Sequence, residues 1–491
     1  MSRHVPVRAI VGRFTHEVQH AVIEEVLQEH PFEFVCNIST GRIAKHFDAV
    51  PKDRQQWFNS GEVRNCHYEG VDWTDLAPLD EELIEQMRHC EAVFMDLVSR
   101  LEWKRSIPYT VRKDWYYRHL RFWSDFIVRH RINLYIAAWI PHEIPDVVIY
   151  HLCKLWGIPT RHFEDVSITN DTSFFVCDME ESSVAIKSRY EQLLAEYDDV
   201  DDPDRVPLSE HYAQRYDALI QPKGELPPES VLHWSTYWGS VLHGVWRKPV
   251  AFLCYALGYC TPCGIRRAAS AWRRWRSIRT CTAFYDAHTT EPDLNRPFVY
   301  LPLHFQPEAS TVPLGGAYGC QLLIAQLLGA CLPDDVFIYV KEHPHGSSWL
   351  MRSVDYYRDL LAIPNVRLIA RNIDTFTLRE HCRAVATVTG TAGIEALFRG
   401  KPVLLFGHRY YQYARGVYPI HSTEDLRRAV RAIFEERKAP THMECRLFLK
   451  ALEDVSIRGT LNPEYILISA FPPEEHVRVN AEVILDALRT L

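Results

Sequence analysis

The segment AVATVTGTAGIEALFRGKPVLLFG, residues 384–407, holds two strand-like runs separated by a helix-forming stretch. Small and β-branched residues fill Ala384–Thr389 and again Val403–Gly407, which is typical of strands buried on both faces. Thr391–Arg399 between them has the pattern of a helix, and a glycine and a proline follow it closely. A strand, a helix and a second strand in this order predict a βαβ unit and therefore a parallel sheet.

The same alternation extends on both sides of this segment, from Pro292 to about residue 436. The other strands are predicted at Phe298–His304, Val336–His343 and Val366–Ala370, and the other helices at Tyr318–Ala330, Trp349–Ala362, Asp374–Cys382 and Thr423–Glu436. Five strands with helices between them predict one doubly wound α/β domain.

A second α/β pattern occupies the first part of the chain. Strands are predicted at Val7–Phe14, Glu33–Ile38 and Asn133–Trp139, and helices at His16–Glu29, Leu83–Leu101 and Asp146–Trp156. We therefore expect two Rossmann-like domains, 1–181 and 291–440, joined by a helical region, 182–290, and followed by C-terminal helices, 441–491, the last from about Glu474 to Leu491. Ligands usually bind in the cleft between two such domains.

Charge excludes one broad function class. Among 491 residues, 55 Lys and Arg face 63 Asp and Glu, so the net charge is −8 and a bulk polyanion binder is disfavoured. Residues 241–285 reverse this sign, because they contain no acidic residue but eight basic ones, with Trp246, Trp272 and Trp275 interleaved. This segment is either a solvated helical face packed between domains or an attachment to anionic lipid. We expect no nucleic-acid partner, since no known module is present.

Membrane and cofactor signals are weak. The most apolar run, 250–260, has eleven residues, whereas a membrane span needs about 20. The first residues show no signal peptide, and the thirteen scattered cysteines favour a reducing compartment. We therefore expect a cytoplasmic protein, attached to the inner face of the membrane under the lipid interpretation. The Cys260–Cys263 pair is expected to be structural, and no metal or cofactor is expected.

Three polar clusters follow predicted strands of the C-terminal domain, at the edge where open α/β sheets bind ligands. His304, Gln306 and Glu308 form the first, and strand alternation places His304 and Gln306 on one face. A strand end capped by solvated polar groups is the alternative for each of them.

The second cluster is Lys341, His343 and Pro344. Alternation again places Lys341 and His343 on one face, and the proline ends the strand. A lysine and a histidine at a strand end suit a phosphate oxygen, with an ordinary surface loop as the alternative.

The third cluster, TGTAGIE, contains Thr389, Gly390, Thr391, Gly393 and Glu395. The small residues allow close approach of the backbone, and a helix start with threonine hydroxyls favours an anion. Glu395 lies one turn after Thr391 and can accept hydrogen bonds from a ribose diol. The alternative is a tight turn with a threonine cap. Together the clusters predict a nucleotide-sugar site.

The segments LHFQPE (303–308), KEHP (341–344) and TGTAGIEALFRGKPV (389–403) resemble bacterial capsule and surface-polysaccharide glycosyltransferases. These are similar to the GT-B sialyltransferases and Kdo transferases, which carry a His-Pro motif, and the resemblance covers about residues 296–425. It implies a GT-B-like fold, metal-independent transfer and a donor held by the C-terminal domain. By the same resemblance His343 and Thr391 would bind the donor phosphate, Glu395 would bind the ribose, and the nucleotide would commonly be CMP.

The expected function is transfer of a sugar, CMP-linked Kdo or a sialic-acid-like sugar being favoured, to a saccharide or lipid-linked acceptor. A nucleotide-sugar epimerase or hydrolase, a non-catalytic member of an assembly complex, and a polyol-phosphate polymerase are alternatives. An inverting transfer needs a general base, which we expect from the N-terminal domain. The candidates are His16, His142, Glu143 and Asp146, although Asp146 could instead be the N-cap of its helix.

Overall fold

A six-stranded sheet organises the first part of the chain in the computed structural model, which describes residues 6–43, 45–102, 106–169, 171–221, 262–306, 308–343 and 352–489. Its strands are β1 (Arg8–Gly12), β2 (Phe34–Ser39), β3 (Gln55–Asn59), β4 (Leu134–Ala137), β5 (Thr160–Asp165) and β6 (Ser173–Val176). They lie in the order β3-β2-β1-β4-β5-β6. All pairs are parallel except β5 with β6. We call this sheet and its helices the N-terminal lobe.

The C-terminal lobe is built on a second, entirely parallel sheet. Its strands are β7 (Thr289–Thr290), β8 (Phe298–Pro302), β9 (Phe337–Lys341), β10 (Val366–Ile369), β11 (Ala384–Thr387), β12 (Val403–Leu405) and β13 (Val417–Pro419). They lie in the order β13-β12-β11-β8-β9-β10-β7. Parallel strands all end at the same side of a sheet, which we call its carboxyl edge.

The helices cover the faces of the two sheets. They are α1 (Glu17–Glu29), α2 (Ser60–Arg64), α3 (Glu81–Gln86), α4 (Arg88–Val98), α5 (Tyr109–Arg129), α6 (Ile144–Leu155), α7 (Val184–Glu196), α8 (Glu210–Ile220), α9 (Pro262–Ala287), α10 (Gln321–Cys331), α11 (Val354–Leu361), α12 (Thr375–His381), α13 (Thr391–Leu397), α14 (Thr423–Val430), α15 (His442–Val455), α16 (Pro463–Ile468) and α17 (Pro473–Leu488). Shorter helical turns connect some of them, and a π-helical turn, Arg431–Glu435, continues α14.

Alternating side chains bury both faces of each sheet. In β1, Ala9 and Val11 pack in the same cluster as α1, whereas Ile10 packs in the cluster that includes α6. In β8, Phe298 and Tyr300 likewise face away from Val299 and Leu301. This period of two explains why the strands have nearly continuous apolar sequences.

The C-terminal tail returns to the N-terminal lobe. Helix α15 packs on α7 in the cluster that includes β8, and α17 then packs on α1 of the N-terminal lobe. The side-chain amide of Gln19 donates to the Leu461 carbonyl at 2.7 Å, and the Thr460 hydroxyl donates to Asp165 at 2.7 Å. The tail therefore contributes to the core of the N-terminal lobe.

The expected α/β class with two Rossmann-like sheets is confirmed, but the number of strands is corrected. The C-terminal sheet has seven strands rather than five, because the short edge strands β7 and β13 carry too few residues to show periodicity. Strands β3, β5 and β6 were also not predicted, and Leu83–Leu101 forms two main helices, α3 and α4. The domain limits at 181, 290 and 440 stay predictions.

Part of the basic segment lies outside the described residues, including Trp246 and the Cys260 end of the cysteine pair. Where the chain is described, we find no helix that is both long and apolar enough to cross a membrane.

Candidate active site at the facing sheet edges

His304 lies just past the end of β8 and is fixed by β11. Its ring Nε2 lies 3.0 Å from the Thr387 hydroxyl and accepts from the Thr389 backbone N–H at 3.5 Å. An N–H group can only donate, so the tautomer that satisfies both neighbours carries its proton on Nδ1. Burial, with the positive charges of His343, Arg352 and Arg409, lowers the pKa of His304 to about 3. His304 is therefore a neutral hydrogen-bonding group.

Gly390 makes this arrangement sterically possible. A Cβ at position 390 would lie 2.9 Å from the Thr387 hydroxyl oxygen and 3.1 Å from Cε1 of His304. The Gly390 N–H donates to the Thr387 hydroxyl at 3.1 Å, and its carbonyl accepts from Tyr411 at 2.6 Å. The turn thus packs directly against the imidazole, as its small residues predicted.

His304 and Gln306 do not share a strand face. That expectation is wrong because β8 ends at Pro302, before either residue, and alternation does not continue into the loop. The Gln306 side chain donates to the Gly319 carbonyl, while Glu308 is exposed and accepts from the Ser310 hydroxyl at 3.1 Å.

Lys341 and His343 point toward opposite neighbouring strands. Lys341 ends β9, is buried, and donates to the Thr375 hydroxyl at 2.9 Å, beyond the end of β10. Burial lowers the pKa of Lys341, and the Asp374 charge partly opposes this. The His343 ring centroid instead lies 5.9 Å from that of Phe305, beside the end of β8. Because β9 ends at Lys341, His343 lies beyond the strand, and the shared face stays a prediction. Pro344 lies outside the described residues.

Glu342 anchors both histidine segments, a role that the sequence did not suggest. One carboxylate oxygen contacts the Arg352 guanidinium and accepts from the His343 N–H at 2.9 Å, and the other accepts from Tyr357 at 2.7 Å. Arg352 also donates to the His304 carbonyl at 2.7 Å. Both charges are buried, so the ion pair fixes the backbone of the two segments that follow β8 and β9.

The third cluster is held by contacts within the C-terminal lobe. Thr389 and Glu395 have partners there, and Thr391 starts a short helix. The Thr389 hydroxyl donates to the Ser310 carbonyl at 2.8 Å, and Thr391 begins α13, which has seven residues. Glu395 lies one turn later as predicted, but its carboxylate pairs with the buried Arg379. Gly393 approaches Tyr411, whose hydroxyl would lie 2.7 Å from a Cβ at that position.

Arg409 is a cationic group of this edge that the motif search missed. It follows β12, pairs with Glu164 of the N-terminal lobe at 3.0 Å, and contributes to the low pKa of His304. The missed signal was a polar run directly after a buried strand, the same signal that identified the other three clusters.

The loop before α6 places the predicted bases at the opposite carboxyl edge. His142 donates through Nδ1 to the Ile140 carbonyl at 2.7 Å, and burial together with Arg13 lowers its pKa to about 4. Burial opposes ionisation of Glu143, but the charges of Arg13, His142, Arg64 and Arg100 outweigh it and lower its pKa. Its side chain is 19 % exposed.

Asp146 lies behind Glu143 and is only 1 % exposed. The N-cap alternative is wrong, because α6 begins at Ile144 and Glu143 holds the N-cap position. Burial raises the pKa of Asp146 to about 7, against the opposing charge of Arg13. His16, the remaining candidate, is the N-cap of α1, and its backbone N–H donates to Gln19 at 3.0 Å.

Arg100 connects the two carboxyl edges. One guanidinium nitrogen donates to the His142 carbonyl at 2.7 Å, and another donates to the Val312 carbonyl in the C-terminal lobe. Burial lowers the pKa of Arg100, and the charges of Glu143 and Glu308, one from each lobe, oppose this. The loop before α6 and the 308–312 loop therefore face each other across one cleft.

Metal-binding clusters are absent from the described part of the chain: no three His, Cys, Asp or Glu side chains there are grouped to hold an ion.

Comparison with known proteins supports the resemblance for the C-terminal lobe. Residues 264–432 match the family model described as capsule polysaccharide biosynthesis protein, and this range contains all three motifs. The resemblance inferred from the motifs is thus confirmed over these residues. No curated protein matches the sequence.

Several solved structures align with this chain at low identity. The KpsC beta Kdo 2,7 transferase of Thermosulfurimonas dismutans is 12% identical, with 74% of this chain and 88% of that chain covered and a TM-score of 0.33. A glycosyltransferase of Rickettsia africae is 11% identical over 99% of both chains, with a TM-score of 0.27. The UDP-GlcNAc 2-epimerase of Methanocaldococcus jannaschii is 9% identical, with 92% of this chain and 100% of that chain covered and a TM-score of 0.24.

Proposed function

We propose that this chain is a glycosyltransferase that moves a sugar from a nucleotide-sugar donor to an acceptor in surface-polysaccharide assembly. The observation that carries the proposal is the contact of Arg100 with both carboxyl edges, since it brings a donor-type cluster and a set of carboxylates to one cleft. The match of residues 264–432 to capsule polysaccharide biosynthesis proteins supports the same pathway.

The donor nucleotide would bind the C-terminal edge. His304 presents an Nδ1–H, and Arg409 and His343 lie close enough to affect its charge state. A neutral N–H group beside the guanidinium of Arg409 suits a phosphate whose negative charge grows as the bond to the sugar breaks. Thr391 and Glu395 keep their predicted roles toward phosphate and ribose, although Glu395 would share its carboxylate with Arg379. CMP is the favoured nucleotide.

The general base would come from the N-terminal edge, and geometry favours Glu143. A base must reach the acceptor hydroxyl, and Glu143 is partly exposed whereas Asp146 is almost fully buried behind it. The positive charges that lower the pKa of Glu143 keep it ionised and ready to accept a proton.

The acceptor would be a saccharide or a lipid-linked saccharide, and one described surface favours approach to a membrane. On α9, Trp272 and Trp275 are 55 % and 53 % exposed, and Arg276 and Arg279 are exposed beside them. Their spacing of three or four residues places them on one side of the helix, opposite the buried Cys281 and Tyr285. We propose that this Trp/Arg face contacts anionic lipid.

Product analysis tests the proposed reaction. Purified protein is incubated with CMP-, UDP- and GDP-linked sugars, with and without a polysaccharide extract as acceptor, and nucleotide release and sugar incorporation are both measured. A transferase incorporates sugar only when acceptor is present. Conversion of the donor at equal rates without acceptor would indicate the epimerase or hydrolase alternative, and absence of nucleotide binding would indicate a non-catalytic protein.

A further inference from the structure

The carboxyl edge of the N-terminal lobe holds three arginines around one glutamate. Arg13 and Arg64 approach the two oxygens of Glu143 at 3.8 Å and 3.7 Å, and Arg100 donates to the neighbouring backbone. Both ion-pair distances exceed a hydrogen bond, so the guanidinium groups are not saturated by this carboxylate. Arg13 and Arg64 side chains are partly exposed, which leaves them accessible from the cleft.

Buried polar atoms without hydrogen bonds are concentrated behind these arginines. Within the described part of the chain they include both carboxylate oxygens of Asp146, the Tyr135 hydroxyl, and Nε of Arg13, Arg64 and Arg100. Tyr135 and Asp146 are both more than nine-tenths buried. Buried polar groups in folded proteins are almost always hydrogen-bonded, so such a concentration at one edge indicates a site for a polar ligand.

The backbone of Arg13 gives a second indication. Arg13 follows β1 with a φ of 69°, in the left-handed region that non-glycine residues rarely adopt. Its N–H donates to the Ile38 carbonyl at 3.0 Å, which holds the residue in this conformation. Strained residues at the ends of sheets are characteristic of functional sites, because the conformation serves to direct the side chain.

The charge of the cluster indicates the kind of ligand. Three guanidinium groups face the ionised carboxylate of Glu143, and Arg100 is also influenced by Glu308 of the other lobe. Burial raises the pKa of Asp146 to about 7, so this group is only partly ionised at neutral pH. The edge therefore has an excess of positive charge next to the proposed base. A cationic surface of this kind favours a carboxylate or phosphate group.

We propose that Arg13, Arg64 and Arg100 bind the anionic group of an acidic acceptor and thereby place its hydroxyl at Glu143. This inference rests on the proposed glycosyl transfer for its reaction, but the anion site itself does not depend on it. Arg64 recognises the ligand most directly, since its side chain is 39 % exposed whereas that of Arg13 is 24 % exposed. Asp146 is then a positioning residue that acts through Arg13.

Inorganic phosphate is the probe for the site. The full-length protein is titrated with phosphate by calorimetry in the presence of saturating CMP, which occupies the proposed donor edge. We expect binding that weakens at least fivefold in Arg64→Gln. The control is Arg54→Gln, an exposed arginine of the same lobe outside the cluster, which should leave binding unchanged. Folding of each variant is checked by thermal unfolding.

Three outcomes would overturn the proposal. If CMP abolishes phosphate binding, the anion belongs to the donor site. If wild type binds no phosphate, or if Arg64→Gln binds it as tightly as wild type does, the cluster is structural. If none of CMP, UDP and GDP binds but phosphate binding still depends on Arg64, the proposed function fails while the anion site stands. Competition by glucuronate or by glycerol 3-phosphate distinguishes a sugar acid from a lipid headgroup as the source of the anion.

Discussion

Arg352 joins the carboxylate of Glu342 to the backbone carbonyl of His304, with the second contact at 2.7 Å. The two charges lie in the interior, where an ion pair adds little net stability compared with well-packed apolar residues. The pair therefore has a value beyond stability: it links the segment after β8 to the segment after β9. Each of these segments carries one of the histidines predicted to face the donor.

The first prediction separates this positioning role from simple stabilisation. Glu342→Gln alone leaves Arg352 buried without a counter-charge and should destabilise the protein by about 3–5 kcal/mol. The double variant Glu342→Leu with Arg352→Met removes both charges, so its stability should return close to wild type. Donor affinity should nevertheless fall at least tenfold, because the His304 carbonyl loses its anchor.

Urea unfolding and CMP titration measure these two effects. Arg358→Met is the matched control, since Arg358 lies on α11 but pairs with Asp355 at the surface. A double variant that is stable and binds CMP as tightly as wild type would show that the ion pair does not position the donor site.

The second prediction concerns His343. His343→Ala should lower turnover at least tenfold without unfolding the chain, since the ring lies at the proposed phosphate site and is only partly buried. Initial rates of sugar transfer with the correct donor measure the effect. His381→Ala, at an exposed helix end, should transfer at the normal rate. A normal rate of sugar transfer by the His343 variant would show that His343 is not part of the phosphate site.

The third prediction uses the close approach of Gly390. Its φ of −72° is accessible to alanine, so Gly390→Ala adds only a methyl group, which would collide with Thr387 and His304. We expect CMP affinity to fall at least tenfold and the melting temperature to change little. Calorimetric titration and thermal unfolding of the same preparation measure both. Unchanged CMP binding would place the nucleotide elsewhere.

The fourth prediction follows from Asp146, whose pKa burial raises to about 7. The folded protein binds the Asp146 proton more tightly than the unfolded chain does, so this contribution to stability is present below about pH 4 and is lost as the pH rises to 7. Asp146→Asn cannot titrate. Its free energy of unfolding should therefore decrease less between pH 5 and pH 8 than that of wild type.

Urea unfolding at the two pH values measures the difference, and Asp114→Asn, an exposed aspartate, should behave as wild type. Equal pH dependence in the Asp146 variant and in wild type would contradict the raised pKa.

The fifth prediction concerns the Trp/Arg face of α9. Each basic residue near an anionic membrane contributes about 1 kcal/mol, so Arg276→Glu with Arg279→Glu should markedly reduce binding to phosphatidylglycerol vesicles. Trp272→Ala with Trp275→Ala should reduce it as well, through loss of interfacial aromatic contacts. Sedimentation with vesicles measures binding, and phosphatidylcholine vesicles are the control. Equal binding of wild type and both variants would favour a solvated or protein-covered face.

Periodicity predicted the central strands and the edge where the clusters lie, because these depend on local sequence. Strand β5 was missed, since its sequence TRHFED contains charged residues that are buried only through distant partners. Glu164 is compensated by Arg409, and Asp165 by Thr460, more than 200 positions away in the chain. No local pattern contains that information.

Side-chain roles were harder to predict than positions. The alternation argument was applied past the last residues of β8 and β9, where the chain is already in a loop and alternation no longer fixes the faces. The anchoring role of Glu342 depends on Arg352, just before α11, and on Tyr357, within α11. Such contacts depend on the packing of α11, which composition alone does not determine.

The return of the tail to the first helix means that the polypeptide passes between the lobes twice, before α7 and again after α15. A bridge between Ser173 and Ile457 brings these two crossings side by side. Because the chain crosses twice, a protease cut at one crossing would leave the C-terminal lobe covalently connected to the N-terminal lobe, or to the tail packed in it, through the other crossing.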